Sequence, residues 1–138
     1  MRHFRIWLMI GLIGGMIGAA ARPLPAQQAG ARIDITIKNF TFQSQAKVLP
    51  LDQPVTIHLR NLDAVEHGFV SPMLRNADIV VETAAGTTFG RGIEGVHIAP
   101  GKEVSIHFAS PPPGQHPFQC DLHPNMKGEL FLLSVGSA

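Results

Sequence analysis

Three stretches of this chain alternate apolar and polar residues with a period of two. Ile33, Ile35 and Ile37 are separated by Asp34 and Thr36, Val55, Ile57 and Leu59 by Thr56 and His58, and Val104, Ile106 and Phe108 by Ser105 and His107. A helix would scatter such residues around its surface, whereas a strand places every second side chain on one face. Each stretch therefore predicts a strand with one buried face. Shorter runs predict further strands over 47–49, 68–71, 78–82, 116–120 and 128–134, with turn signals between them at 50–54, at Ala99-Pro100-Gly101 and at Ser110-Pro111-Pro112-Pro113-Gly114. Seven or eight short strands so punctuated, with no helical periodicity after residue 30 and no internal repeat, predict an all-β, two-sheet antiparallel sandwich of the Greek-key kind.

The first 26 residues read differently. Arg2, His3 and Arg5 form a positive start, Ile6 to Ala20 is an apolar run interrupted by glycines, and small residues follow. This is the pattern of a secretory signal peptide, with cleavage after Ala21 or Ala26. The run is shorter than the roughly 20 apolar residues of a spanning helix, which favours a cleaved leader over a retained anchor. The expected organisation is a leader over 1–26 and one domain over 27–138, periplasmic or otherwise exported. Removing Arg2, Arg5 and Arg22 lowers Lys plus Arg from 11 to 8 against 10 Asp plus Glu, so the formal charge moves from +1 to −2. No basic patch remains that suits nucleic acid.

An exported chain with a single cysteine needs a reason for it, because an oxidising compartment pairs thiols. Cys120 could form an intermolecular disulfide, lie buried and inert, or bind a metal as thiolate. Its neighbours favour the metal. The segment 118–127 reads Phe-Gln-Cys-Asp-Leu-His-Pro-Asn-Met-Lys, so Cys120, His123 and Met126 follow one another at intervals of three on a loop between apolar runs. Two imidazoles and a thiolate in a plane, with a weak axial thioether, describe a blue-copper electron-transfer centre. That set needs one more histidine. His3 leaves with the leader, while His58, His97 and His107 fall on the outward phase of their strands. His116 lies on the strand that already leads to Cys120. His67 follows a turn-prone Asn61-Leu62-Asp63, opens the apolar pair Phe69-Val70 and comes from a separate strand, so it can close a trigonal site.

With these residues in place the chain resembles the cupredoxins, the family of plastocyanin, azurin, pseudoazurin and amicyanin. The resemblance rests on Asn39-Phe40-Thr41-Phe42, Asn61-x-Asp63-x-x-x-His67, the Ala99-Pro100-Gly101 turn, and Gly114-x-x-x-Phe118-x-Cys120-x-x-His123-x-x-Met126-x-Gly128. The short Cys-x-x-His-Pro-x-Met loop is the amicyanin-like form. The resemblance implies a mononuclear type 1 copper held by His67, Cys120 and His123 in the plane and Met126 on the axis. It implies a monomeric carrier of single electrons rather than an enzyme. A cytochrome c or a periplasmic dehydrogenase or reductase would dock near His123, against an apolar patch of Leu122, Pro124, Pro72 and Met73. A periplasmic copper chaperone or storage protein is the alternative, although only Met73 and Met126 remain outside the leader and such proteins use exposed Met-rich clusters. Three departures stand out. Gly68 follows His67 where many members have Asn, whose side chain ties the two ligand loops together, so the tie here must come from backbone groups or be lost. His116 replaces a frequent aromatic. The segment 74–98 is longer than in amicyanin-like proteins and is expected to decorate an edge of the sandwich rather than to select partners. Glu66, next to His67, is expected to point away from the site.

Overall fold

The computed structural model describes residues 30–44 and 53–132. The leader expected over 1–26 and the strand expected over 47–49 lie outside the described residues. Ten strands follow in chain order: β1 (Ala31–Lys38), β2 (Thr41–Ser44), β3 (Pro54–Asn61), β4 (His67–Val70), β5 (Asp78–Thr83), β6 (Gly86–Arg91), β7 (Gly95–Ile98), β8 (Glu103–Ala109), β9 (Gly114–Gln119) and β10 (Lys127–Leu132). One 3-10 turn, Pro72–Leu74, joins β4 to β5 and inserts Leu74 into the core. Among the described residues no helix is long and apolar enough to cross a membrane.

The strands form two sheets, one in the order β2-β1-β3-β8-β5-β6 and the other in the order β10-β9-β4-β7. The chain crosses between them after β3, β4, β6, β7 and β8, as the Greek-key expectation requires. The paired ladders are antiparallel with one exception. β1 and β3 run parallel, Ala31 opposite Val55 through Ile37 opposite Asn61, because the chain turns out to the edge strand β2 before returning on the far side of β1.

The alternating sets predicted to be buried are the ones that fill the space between the sheets. Ile33, Ile35, Ile37, Val55, Ile57, Leu59, Val104, Ile106 and Phe108 come from the larger sheet and meet Phe69, Ile98, Phe118, Leu130 and Leu132 from the smaller. Phe42, Phe69 and Phe118 form an aromatic cluster, with centroids 5.0 Å apart for Phe42–Phe118 and Phe69–Phe118. Gly128 lies directly across the ladder from Phe118, and a Cβ there would overlap the Phe118 ring. The glycine is thus what lets that ring lie flat over β10.

The segment 74–98 adds an edge to the sandwich, as expected. β5 and β6 form a hairpin that extends the larger sheet, and every residue of β6 is exposed. β6 escapes a reading by alternation because it buries nothing.

Candidate metal centre

Three loops and turns at one end of the sandwich bring the predicted ligands together. Asn61, at the end of β3, is fully buried and its amide ties the loop that follows to β7: Nδ2 donates to Val65 O (2.8 Å) in the loop and to Ile98 O (2.9 Å) on β7, and Oδ1 accepts from Asp63 N–H (2.9 Å). That loop delivers His67, also fully buried, as the first residue of β4. From the other side, β9 ends at Gln119, and Cys120 opens a short loop to β10. The loop closes on itself through Cys120 N–H to Met126 O (3.0 Å) and Met126 N–H to His123 O (2.9 Å). These bonds bring Cys120 and Met126, both buried, to the same end of the core.

One donor atom from each of His67, Cys120 and His123 lies within 4.8 Å of the other two. Cys120 Sγ is 3.5 Å from His123 Nδ1 and accepts the backbone N–H of Gly68 at 3.2 Å. This backbone bond is one tie between the two ligand loops.

The environment of His67 decides which nitrogen faces the cluster. Its Nε2 lies 2.9 Å from Asp63 Oδ2, whereas its Nδ1 is buried with no hydrogen-bond partner. A buried polar atom left unpaired costs free energy unless something binds it. With the ring proton held on Nε2 by the carboxylate, Nδ1 presents a lone pair. This is the carboxylate–histidine arrangement that orients metal-binding imidazoles. The donor set of two imidazole nitrogens, a thiolate and a nearby thioether fits copper.

Asp63 also organises the turn between β1 and β2. Its two oxygens accept Asn39 N–H (2.7 Å) and Phe40 N–H (2.9 Å), and both residues are left-handed, with φ of 52° and 56°. Such a two-residue turn suits Asn but strains Phe. The Asp63 hydrogen bonds hold Phe40 there against that strain, and its ring meets His67 edge-on at 5.3 Å and His123 at 5.0 Å while staying half exposed. Both roles were missed in the sequence. The signals were present in the Asn61-x-Asp63-x-x-x-His67 spacing and in the Asn39-Phe40 pair, but turn chemistry alone accounts for either.

The Asp63 carboxyl sits below the usual carboxylate range, first because of the Phe40 N–H and then because of Asn39 N–H and His67. A lowered native pKa stabilises the fold fully above the unfolded value of about 3.9, and that stabilisation is lost as pH falls through the lower native value. Acid titration of the metal-free protein should therefore show a loss of stability below about pH 4 that Asp63→Asn reduces.

The other histidines lie where their strand phase put them. His58 lies between Asp34 (3.3 Å) and Glu103 (3.4 Å), and His107 contacts Thr56 Oγ1 (2.9 Å) and Glu82 (3.1 Å), all on the outer face of the larger sheet. His116 Nε2 meets Pro112 O at 2.8 Å, and exposed His97 bonds Asp121 at 2.9 Å. Glu66 is exposed and approaches His97 at 3.7 Å, so it does face away from the cluster.

A family model described as a cupredoxin-like domain matches residues 8–132. No curated protein sequence matches the chain significantly. Among solved structures, the copper nitrite reductase from Nitrosomonas europaea superposes with a TM-score of 0.56 at 9% identity, covering 85% of this chain and 53% of its own. A multicopper oxidase, McoA from Aquifex aeolicus, gives 0.54 at 16% identity over 82% of this chain and 31% of its own. Auracyanin A, a "blue" copper protein from Chloroflexus aurantiacus, gives 0.50 at 18% identity over 75% of this chain and 98% of its own. The chain spans about half of the reductase and about a third of the oxidase. At these identities the likeness is one of fold.

Proposed function

This chain belongs to the cupredoxin-like domain family, and from that premise we propose that it binds one copper ion and carries single electrons between redox proteins. His67, Cys120, His123 and Met126 would hold the ion. The observation that carries the reading is the buried, unpartnered Nδ1 of His67, held opposite the Cys120 thiol and His123 by the Asp63 bond to its other nitrogen.

When bound, copper would supply a one-electron couple whose potential depends on the thioether ligand and on hydrogen bonding to the sulfur. The chain supplies the rest. Asp63 fixes the His67 tautomer, the Gly68 N–H contributes a hydrogen bond to sulfur, and burial of Cys120 and Met126 excludes water. Held by four side chains, the ion would have no open position for substrate, which supports a carrier rather than an enzyme. The burial of His67, Cys120 and Met126 also argues against a chaperone, which must pass its metal on through exposed donors.

Partners are proposed to dock at the end of the sandwich carrying the site. Phe40, Leu62, Val65 and Leu122 are exposed there on the three loops that build the cluster. Phe40 and Leu122 flank His123, in contact and in sequence respectively. Pro72 and Met73 belong to a different place, beside Pro117, whose carbonyl accepts Ser71 Oγ at 2.8 Å. A small apolar surface of this kind suits the weak, short-lived contacts of electron-transfer proteins. Export to an oxidising compartment completes the proposal, since Cys120 is buried and its thiolate would be committed to the metal.

Redox titration of the copper-loaded protein tests this reading. A single reversible one-electron couple is expected. Met126→Leu should keep the colour and raise the potential, because the thioether donates more to the oxidised ion than to the reduced one. His107→Ala, on the far face of the larger sheet, should leave both unchanged. An unshifted couple in Met126→Leu would remove Met126 from the ligand set.

A further inference from the structure

Gly68 occupies the middle of a cross-strand row. On one side β7 sets His97 directly opposite it. On the other side Val70 pairs with Gln119, and continuing that antiparallel register by two places sets Asp121 opposite Gly68. His97 and Asp121 thus stand two strand spacings apart, about 9–10 Å between backbones. Their side chains nevertheless meet, His97 Nε2 to Asp121 Oδ2 at 2.9 Å. They can do so because residue 68 has no side chain. A Cβ on Gly68 would overlap Asp121 Oδ1 and come within 3.1 Å of His97 Cδ2.

The backbone does not require glycine there. Among the described residues the glycines with left-handed φ are Gly86, Gly92, Gly101 and Gly114, and Gly68 lies in an extended strand. The room is what demands it. The same residue donates its N–H to Cys120 Sγ at 3.2 Å. Asp121, the residue after Cys120, is therefore fastened over the peptide that bonds the sulfur.

We propose that His97 and Asp121 act as a clamp across Gly68, positioning residues that seat the Cys120 loop on β4 and keep the Gly68 N–H directed at the sulfur. The clamp supplies the loop-to-loop tie that a side chain at position 68 would otherwise make. The Asp121 carboxyl lies below its ordinary range, the His97 bond being the largest cause, which agrees with a formed pair. His97 is also approached by Glu66 at 3.7 Å, so carboxylates flank the imidazole on both sides. Both partners are exposed by more than two fifths, and pairs this exposed contribute little to global stability. Their effect is therefore local. The inference rests on the copper reading of the same site, but its geometry involves only the chain.

The test uses the full chain in two states. In the metal-free protein, hydrogen exchange at the Gly68 amide and the reaction of Cys120 with a thiol reagent should both quicken about two- to fivefold in Asp121→Ala and in His97→Ala, with Tm unchanged. His97→Gln, which can still donate to Asp121, should restore the wild-type rates. Gly68→Ala should act like either variant, and adding Asp121→Ala to it should cost nothing further, because both break one contact. In the copper-loaded protein the thiolate-to-copper band should move in Asp121→Ala and return in His97→Gln. Wild-type exchange and thiol rates in Asp121→Ala and His97→Ala, beside a normal band, would overturn the clamp. Quickened rates in a protein whose wild type shows no band would overturn the copper reading, and with it the clamp's part in metal binding.

Discussion

Cys120→Ser should abolish the intense visible band of the copper-loaded protein and lower its affinity for copper by orders of magnitude, while leaving a folded sandwich. The argument runs from the thiol outward. Cys120 is the only cysteine in the chain, so no other side chain can provide a thiolate. A serine hydroxyl is a hard donor and remains protonated at neutral pH, whereas the site's second donor class is soft. The buried position is small and accepts the Gly68 N–H, and a hydroxyl oxygen can accept that bond too, so the loop keeps its closure through Met126 O and His123 O. Absorption and circular dichroism on the same sample check both halves. A persisting band would place the chromophore elsewhere, and loss of the β-sheet signal would show that the thiol is structural.

The largest effect on stability is expected at Phe69. Its ring is fully buried between the sheets, against Phe118 at 5.0 Å and Phe42 at 6.3 Å, and it lies two residues from His67 on β4. Phe69→Ala removes a large apolar side chain and leaves a cavity that a β-sandwich closes poorly, a loss of about 3–5 kcal/mol. Against a total of about 5–15 kcal/mol for a domain, that is enough to bring unfolding close to ordinary temperatures. Denaturant unfolding of the metal-free variant measures it. The exposed Phe89 of β6 is the control, since its ring is 76% exposed and Phe89→Ala should change stability by less than about 0.5 kcal/mol.

How far the sequence reveals this molecule depends on whether burial or local geometry set each residue. The three alternating stretches became β1, β3 and β8, because a half-buried strand writes its period directly into its side chains. The loop from Cys120 to Met126 was legible for a chemical reason: few roles other than metal binding call for that donor spacing. β6 was not legible, since nothing in Gly86–Arg91 is buried, and β2 and β7 are too short to show a period. The parallel pairing of β1 with β3 depends on where the chain crosses, which no local pattern records. Asp63 reads as a turn residue until the fold brings it to Asn39, Phe40 and His67 together. Gly68 implies a tie made by backbone groups or none; the Gly68 N–H does bond the Cys120 sulfur, and the space the glycine leaves is filled by His97 of β7 and Asp121 of the Cys120 loop. His97 and Asp121 lie 29 and 53 residues from Gly68 in the chain, beyond the reach of any motif.

The central claim is that one ion sits among His67, Cys120, His123 and Met126, and the most direct test is an optical titration of the metal-free chain with Cu(II). The account predicts an intense thiolate-to-copper band that grows linearly and stops at one equivalent, with copper hyperfine splitting in the electron paramagnetic resonance spectrum narrowed by covalency with sulfur. A colourless complex, or a band that saturates at some other ratio, would contradict it.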